Sequence, residues 1–297
     1  RRRLALQPVA PAQDGGPQRL ESRELAALRV GLLVQPHDHG VLLLAQLTPT
    51  PPGGGAGAVT LRALEFVATP DADAMLHGVG QTDDWRLFLA GYNSFSPAIV
   101  RDSREQFRPP RVQVAATFNQ HAESVYFGRD DCLSTPWYAT FTRVGRVAAT
   151  ASDPMLPTQP TLLCGWLTAQ VGLGEIAIRR GAATRWEARL SFGDMHLTGD
   201  QTLQCDPLLI GLSAPGQGEA LLDAYVNEVA ECMGARRTTS AAPSGWCSWY
   251  YYYTRVSAEH MRKNLAALRG EGASLPVRYV QLDDGYQPSV GDWLSPN

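Results

Sequence analysis

Lysine is almost missing from this chain. Lys263 is the only one in 297 residues, and arginine carries nearly all the positive charge. That bias reads as a coding preference and implies no function. Positive charge is also not in excess: 26 basic against 29 acidic residues leave a formal net charge of −3. A nucleic-acid binder needs a basic stripe to displace counterions, so nucleic acid is not expected as a partner. The same balance gives no reason to expect an anionic membrane surface. No run approaches the roughly 18 apolar residues of a membrane-spanning helix. The basic start, Arg1 to Arg3, has no apolar core behind it, and Pro8, Pro11, Gln13 and Asp14 break any signal-peptide segment.

Cysteine is sparse and unpaired in pattern. The five residues Cys132, Cys164, Cys205, Cys232 and Cys247 include no CxxC, and their number is odd. A disulfide framework or a zinc knuckle is therefore not expected. Buried, reduced thiols in a cytoplasmic protein are. His37 and His39 flank a turn with no third ligand nearby, so no metal is expected there. No GxSxG occurs, and the glycine-rich stretches lack a phosphate-binding pattern between strand and helix. No cofactor is implied.

Residues 1 to about 210 carry short apolar or alternating runs between turn signals, which predicts an antiparallel sandwich. Val30–Val34 and Val41–Leu47 flank a Pro36–Gly40 turn as a hairpin, and Pro51–Gly55 reads as a surface loop. Further strands are expected over Val59–Ala68, Trp137–Val144, Thr161–Leu167, Glu175–Arg179 and Trp186–Phe192, with Val147–Thr150 pairing across Gly145-Arg146. The period changes near Gly216. Leu222, Tyr225, Val229 and Met233 recur at helical spacing over 219–233, with Gly234 as the stop. From Gly245 the pattern becomes strand, helix, strand. Trp246–Tyr250 is a compact aromatic strand, and Ser257 caps a helix bearing Met261, Leu265 and Leu268. Val277–Leu282 follows as a second strand, and the helical crossover makes the two parallel.

Asp283 and Asp284 directly follow that second strand. Parallel α/β layers bind ligands outside the carboxyl ends of their strands. Two adjacent carboxylates offer about eight lone-pair positions, which suits the several hydroxyls of a sugar. The alternative is that they cap a helix or hold a loop. Trp246, Trp249 and Tyr250–Tyr253 crowd the first strand and its exit, while Tyr286 and Trp293 follow the second. Aromatic faces stack on the C–H face of a pyranose, although large aromatics also fill cores. Trp246 suits the core, and Trp249 and Tyr250 suit the mouth. Alternation along a strand cannot send Tyr251, Tyr252 and Tyr253 all one way. Asp83, Asp84 and Trp85 resemble the later acid–aromatic cluster in composition only.

The segments GWCSWYYYYTRVSAEHMRKNL and YVQLDDGYQPSVGDWL resemble the opening of the catalytic barrel in glycoside hydrolase family 36 α-galactosidases. The match runs from Gly245 to Leu294 and follows G-W-C-S-W-Y, helix, Q-[IL]-D-D-x-[YW], G-D-W. Upstream, FLAGYNSFSPAIV is similar to a sandwich motif of the family, N-x-W-Q-S-W-[SG]-P. Here Tyr92, Asn93 and Phe95 stand in place of Trp, Gln and Trp. The resemblance implies that Phe95 reaches towards the sugar without an indole N–H.

That resemblance implies an N-terminal β-supersandwich over 1–212, a connecting helix and linker over 213–240, and the first β–α–β of a (β/α)8 barrel over 241–297. It implies retaining hydrolysis of α-galactoside oligosaccharides, with Asp283, Asp284, Trp249 and Tyr250 in the sugar pocket. Asp292 and Trp293 would shape its entrance. The nucleophile and acid/base of the family come from later strands, so this stretch is expected to be inactive alone, with its barrel portion poorly ordered or aggregation-prone. The family's sandwiches contribute to subunit contacts, which admits a homo-oligomer. A raffinose-synthase-like transferase, a carbohydrate-binding sandwich and an oligomerisation sandwich are the competing readings.

Overall fold

The computed structural model describes residues 7–8, 16, 18–22, 27–50, 58–68, 85–90, 98–102, 132–143, 160–179, 185–199, 201–236, 238, 240–289 and 291–296. These fall into two compact units, Arg1–Ala235 and Arg236–Asn297. Phe95, Asp83, Asp84, the Pro51–Gly55 loop and the Val147–Thr150 strand lie outside the described residues.

The first unit is built from antiparallel strands: β1 (Gln7–Pro8), β2 (Gln18–Ser22), β3 (Leu28–His37), β4 (Gly40–Pro49), β5 (Val59–Ala68), β6 (Trp85–Leu89), β7 (Ile99–Asp102), β8 (Cys132–Pro136), β9 (Tyr138–Arg143), β10 (Thr161–Trp166), β11 (Leu173–Arg179), β12 (Arg185–Leu197), β13 (Leu203–Gln204) and β14 (Leu208–Leu212). The larger sheet runs β1-β2-β3-β4-β14-β10-β9-β6-β7, with β13 also on β4; the smaller runs β5-β12-β11-β8. One apolar core joins them. Val30, Leu32, Ala45, Leu47, Leu87, Phe141, Trp166 and Leu208 of the larger sheet meet Leu61, Ile176, Ala188 and Leu190 of the smaller. This is the sandwich that alternating runs predict.

The larger sheet is covered on its other face too. Helix α1 (Gly218–Cys232) lays Leu221 and Tyr225 on Leu163, Leu167 and Leu209, with Leu42 and Tyr138 at the margin. Double burial explains why Val41–Leu44 and Leu162–Cys164 are continuous apolar runs rather than alternating ones. Gly165 permits the helix to come close: a Cβ there would lie 2.6 Å from the Tyr225 ring. The Tyr225 hydroxyl donates to the Trp166 carbonyl at 2.7 Å, and burial pushes this phenol upward. The helix ends as expected at Gly234 (φ 62°), where the Gly234 and Ala235 amides donate to the Glu231 and Ala230 carbonyls. Its buried face is led by Leu221, not by Met233, which is 43% exposed past the last turn.

The β3–β4 hairpin turns on Asp38-His39, since His37 pairs with Gly40. The His39 amide donates to His37 Nδ1 at 3.3 Å, and His37 Nε2 lies 2.9 Å from a Glu228 oxygen on α1. Both His37 ring nitrogens are thus engaged. Among the described residues no group of three or more His, Cys, Asp or Glu could hold a metal ion.

Strand β12 runs on to Leu197, past the expected Phe192, and β11 starts at Leu173 instead of Glu175, but the boundary at Trp137 differs in kind. Trp137 does not open a strand; it has φ 65° and separates β8 from β9. Its amide donates to Gly174 of the smaller sheet, and its carbonyl accepts from the Trp166 amide of the larger, both at 2.9 Å. The chain changes sheets at this residue, and a single left-handed backbone position makes the corner. The outer face of the smaller sheet keeps polar-out alternation, but its charged residues are largely buried. Glu175 is fully buried, Arg179 meets Glu187 at 3.6 Å, and Arg189 bonds Glu65.

The link from β10 to β11 is held by one buried carboxylate. Asp206 is 3% exposed. It accepts the amides of Gln170, Val171 and Gly172 at 2.9, 3.0 and 3.0 Å, and the hydroxyl of Thr168. Replacing Asp206 by Ala strands these donors, so we expect Asp206→Ala to lower the unfolding free energy by roughly 3 kcal/mol or more in urea titrations. An unchanged midpoint would show that the loop needs no anchor.

Candidate functional site

The second unit centres on a parallel pair, β15 (Gly245–Cys247) and β16 (Tyr279–Gln281), with Trp246 opposite Val280 and Cys247 opposite Gln281. Between them come helix α2 (Trp249–Tyr252), a 3₁₀ turn (Tyr253–Arg255) and helix α3 (Ala258–Arg269). Ser257 caps α3 as expected, its hydroxyl accepting the His260 amide at 3.2 Å.

The strands are shorter than their sequence patterns suggest. The first ends at Cys247, and the aromatic run that follows is helical: the Ser248 carbonyl accepts the Tyr252 amide at 3.0 Å. Ladder pairing stops when the Ser248 amide reaches the Gln281 carbonyl at 3.1 Å, which frees the chain to coil. Strand alternation therefore does not sort Tyr251–Tyr253. Tyr252 packs inward, stacked on His260 with centroids 4.4 Å apart and accepting from Asn264 at 2.8 Å. Tyr250 is 83% exposed. The second strand occupies only Tyr279–Gln281 of the expected Val277–Leu282.

Asp283 sits just beyond β16, and its amide donates to Ser248 Oγ at 2.9 Å. Ser248 is fully buried, so this bond joins the exits of both strands. Asp283 Oδ1 accepts the Asp284 amide at 2.8 Å, while Oδ2 accepts from Gln281 Nε2 at 3.0 Å and from the Cys247 thiol at 3.2 Å. The Asp284 amide and then the Cys247 thiol hold the Asp283 carboxyl below the usual carboxylate range; burial opposes them, and the Gln281 amide adds a smaller part. Asp283 thus does what the loop-holding alternative anticipates. Asp284 is half-buried on the same turn, and the hydrogen bond described above runs through its backbone.

Gly285 (φ 104°) locks this turn against the exit of the first strand, since a Cβ would lie 2.6 Å from Thr254 Cα. The buried Gln287 accepts the Gly285 amide at 2.9 Å. Trp249, half-buried, meets Tyr253 edge-on at 5.4 Å. Tyr286 donates its hydroxyl to the Trp293 carbonyl at 2.9 Å, which closes the loop bearing Asp292 and the 48%-exposed Trp293. A cavity of about 590 Å³ runs along the strands, lined from Pro243 to Cys247 and from Tyr279 to Gln281. Cys247 and Gln281 belong both to this cavity and to the Asp283 cluster. Sequence reading missed Cys247, Ser248, Gln281 and Gln287. Gln281 had a signal, lying two residues before Asp283 in a run expected to be one strand.

No protein-family model matches the chain. Similar solved structures include the family 36 α-galactosidase AgaA from Geobacillus stearothermophilus, at 12% identity and TM-score 0.46, covering 99% of this chain and 39% of that one. An α-galactosidase from Lactobacillus brevis is similar at 13% identity and TM-score 0.49, covering 99% of this chain and 36% of that one. A galactose mutarotase-like protein from Lactobacillus casei matches at 11% identity and TM-score 0.37, over 71% of this chain and 73% of that one. The chain thus spans less than two-fifths of the length of either α-galactosidase. Among the described residues, no helix is long and apolar enough to cross a membrane.

A group whose folded pKa is depressed stabilises the fold above its unfolded value and loses that contribution as pH falls through the folded value. Carbon-detected NMR titration of Asp283 should therefore give a midpoint below the ordinary value of about 3.9, with the β15–β16 unit loosening only at more acid pH. A midpoint at or above that value would remove the three donors from the account.

Proposed function

We propose that this chain is the N-terminal part of an α-galactosidase. Residues 1–212 would form its β-supersandwich, 213–240 a connection, and 241–297 the opening β–α–β of a (β/α)8 barrel. The observation that carries this reading is the Asp283–Asp284 turn at the carboxyl end of a parallel strand, tied by Ser248 to the exit of its neighbour. Hydroxyl-rich ligands are read at such ends by fixed carboxylates. The pair β15–β16 has no further strand partner among the described residues, and no residue of α3 is fully buried. A parallel layer of this kind is ordinarily covered on both faces, which favours its membership in a larger α/β domain.

In this reading Asp284 accepts sugar hydroxyls, Trp249 and Tyr250 offer ring faces, and Asp292 and Trp293 shape the entrance. The substrate class is a terminal α-D-galactosyl group on an oligosaccharide. Retaining hydrolysis needs a carboxylate nucleophile and an acid/base about 5 Å apart, with a covalent glycosyl-enzyme between the two steps. Neither role falls to Asp283, three of whose acceptor positions are already filled.

The test is to extend the protein through the coding sequence downstream of Asn297 and assay it on an aryl α-galactoside beside the 297-residue chain. Turnover by the long form with retention at the anomeric carbon is expected, and Asp284→Ala should lower its kcat/KM by roughly ten- to a hundredfold. An inert long form, or full activity without the Asp284 carboxylate, sinks the proposal. Galactosyl transfer to a sugar in preference to water would move it to the raffinose-synthase type.

A further inference from the structure

Asp283 and Asp284 are neighbours in sequence but differ in their hydrogen bonding. Gln281 and Asp283 stand two residues apart on one side of the chain, and Cys247 is the register partner of Gln281. Register puts Cys247 and Gln281 on one face, and the bonds of both to Asp283 Oδ2 bring its carboxylate there. Trp246 faces the other way, its ring edge-on to Tyr252 at 6.4 Å, and Tyr252 is bonded to α3 through Asn264. So the Cys247 thiol, the Gln281 amide and the Asp283 carboxylate meet on the face away from the Trp246 ring, and Cys247 and Gln281 are among the residues along the 590 Å³ cavity, as is Trp246.

An ionised carboxylate has about four acceptor positions. On Asp283, Oδ2 receives both Cys247 and Gln281, and Oδ1 receives the Asp284 amide. One position remains, on Oδ1. We propose that Cys247 is a positioning residue for ligand binding at this turn, a proposal that rests on the sugar-binding reading above. With Gln281 it saturates Oδ2, fixes the plane of the carboxylate and keeps it ionised. Asp283 then takes one ligand hydroxyl through Oδ1, and Asp284 supplies the other acceptors. The thiol is suited to this because sulfur reaches 3.2 Å across the strand pair, and its weak donation can be lost without unfolding the turn. The titratable side chain bonded to the Asp283 carboxylate is Cys247 on β15; Asp284 reaches it through its backbone amide.

Two measurements test this. In the 297-residue chain, alkylation of Cys247 by iodoacetamide near pH 8, followed peptide by peptide in a mass spectrometer, reports the thiolate. The Asp283→Asn variant removes the negative charge beside the sulfur and should speed the reaction roughly threefold to tenfold, while Asp284→Asn should leave it unchanged. Equal rates in all three chains overturn the couple. In the extended enzyme, Cys247→Ala should raise KM for the aryl α-galactoside roughly threefold to tenfold, more than it changes kcat. It should also move the acid limb of kcat/KM to higher pH, because a carboxyl that loses a donor protonates more readily. Cys247→Ser, which keeps a donor, should restore both. An active enzyme whose KM and acid limb ignore Cys247→Ala overturns the proposal and leaves the galactosidase reading standing. An extended enzyme with no activity or galactoside binding overturns both, and the alkylation rates then show whether the thiol–carboxylate couple survives as a structural feature.

Discussion

The sandwich depends on the buried carboxylate of Asp206. Chain leaving β10 in the larger sheet must reach β11 in the smaller one within a few residues. Such a crossing exposes amides that neither ladder can use. Asp206 gathers three of them and a threonine hydroxyl. Its own segment is pinned on both sides: the Cys205 amide reaches the Ala45 carbonyl, and the Leu167 amide reaches the Pro207 carbonyl, each at 2.9 Å. The side chain thus holds the β10–β11 link, while the backbone on either side of it is bonded to β4 and to the end of β10. Burial beside it pushes the Cys205 thiol up to about 12, with the Asp206 charge adding to the effect, so this sulfur stays protonated and inert.

Around that clasp, burial is arranged in three layers. The smaller sheet covers one face of the larger, and α1 covers the other. Leu208 and Leu209 are both fully buried although they point opposite ways, one to each interface. Close approach of the helix requires a position without a side chain, and Gly165 provides it beneath Tyr225. The helix is thus part of the sandwich's packing as much as a connection out of it. Cys164, half-buried nearby, has its thiol pushed up to about 12 by desolvation.

What the sequence disclosed follows from which forces act locally. Hairpin β3–β4, strand β5, the span of α1 and the Ser257 cap rest on short-range period and turn chemistry, and all are present. The run Trp246–Tyr250 misled because aromatic residues favour strands only where a ladder exists to hold them. Here the ladder ends at Cys247, and a tertiary bond from Asp283 to Ser248 decides where. Trp137 misled for a related reason: its conformation is set by the gap between two sheets, which no local pattern records. At the acids, position was legible but division of labour was not. Nothing in an Asp-Asp pair says which carboxylate will be occupied by its neighbours.

That occupation bears on what such a turn can recognise. Two free carboxylates side by side would repel, and one would tend to take up a proton near neutral pH. Three donors on Asp283 remove that tendency by stabilising its charge within the fold. A cationic ligand would find both charges attractive at long range. A neutral polyol, the ligand proposed above, instead needs acceptors at fixed positions, and three donors hold the Asp283 carboxylate in one orientation. Exposed aromatic surface at Tyr250 and Trp293 adds apolar area on the same unit, which suits a ligand with hydroxyl edges and a C–H face better than a simple ion.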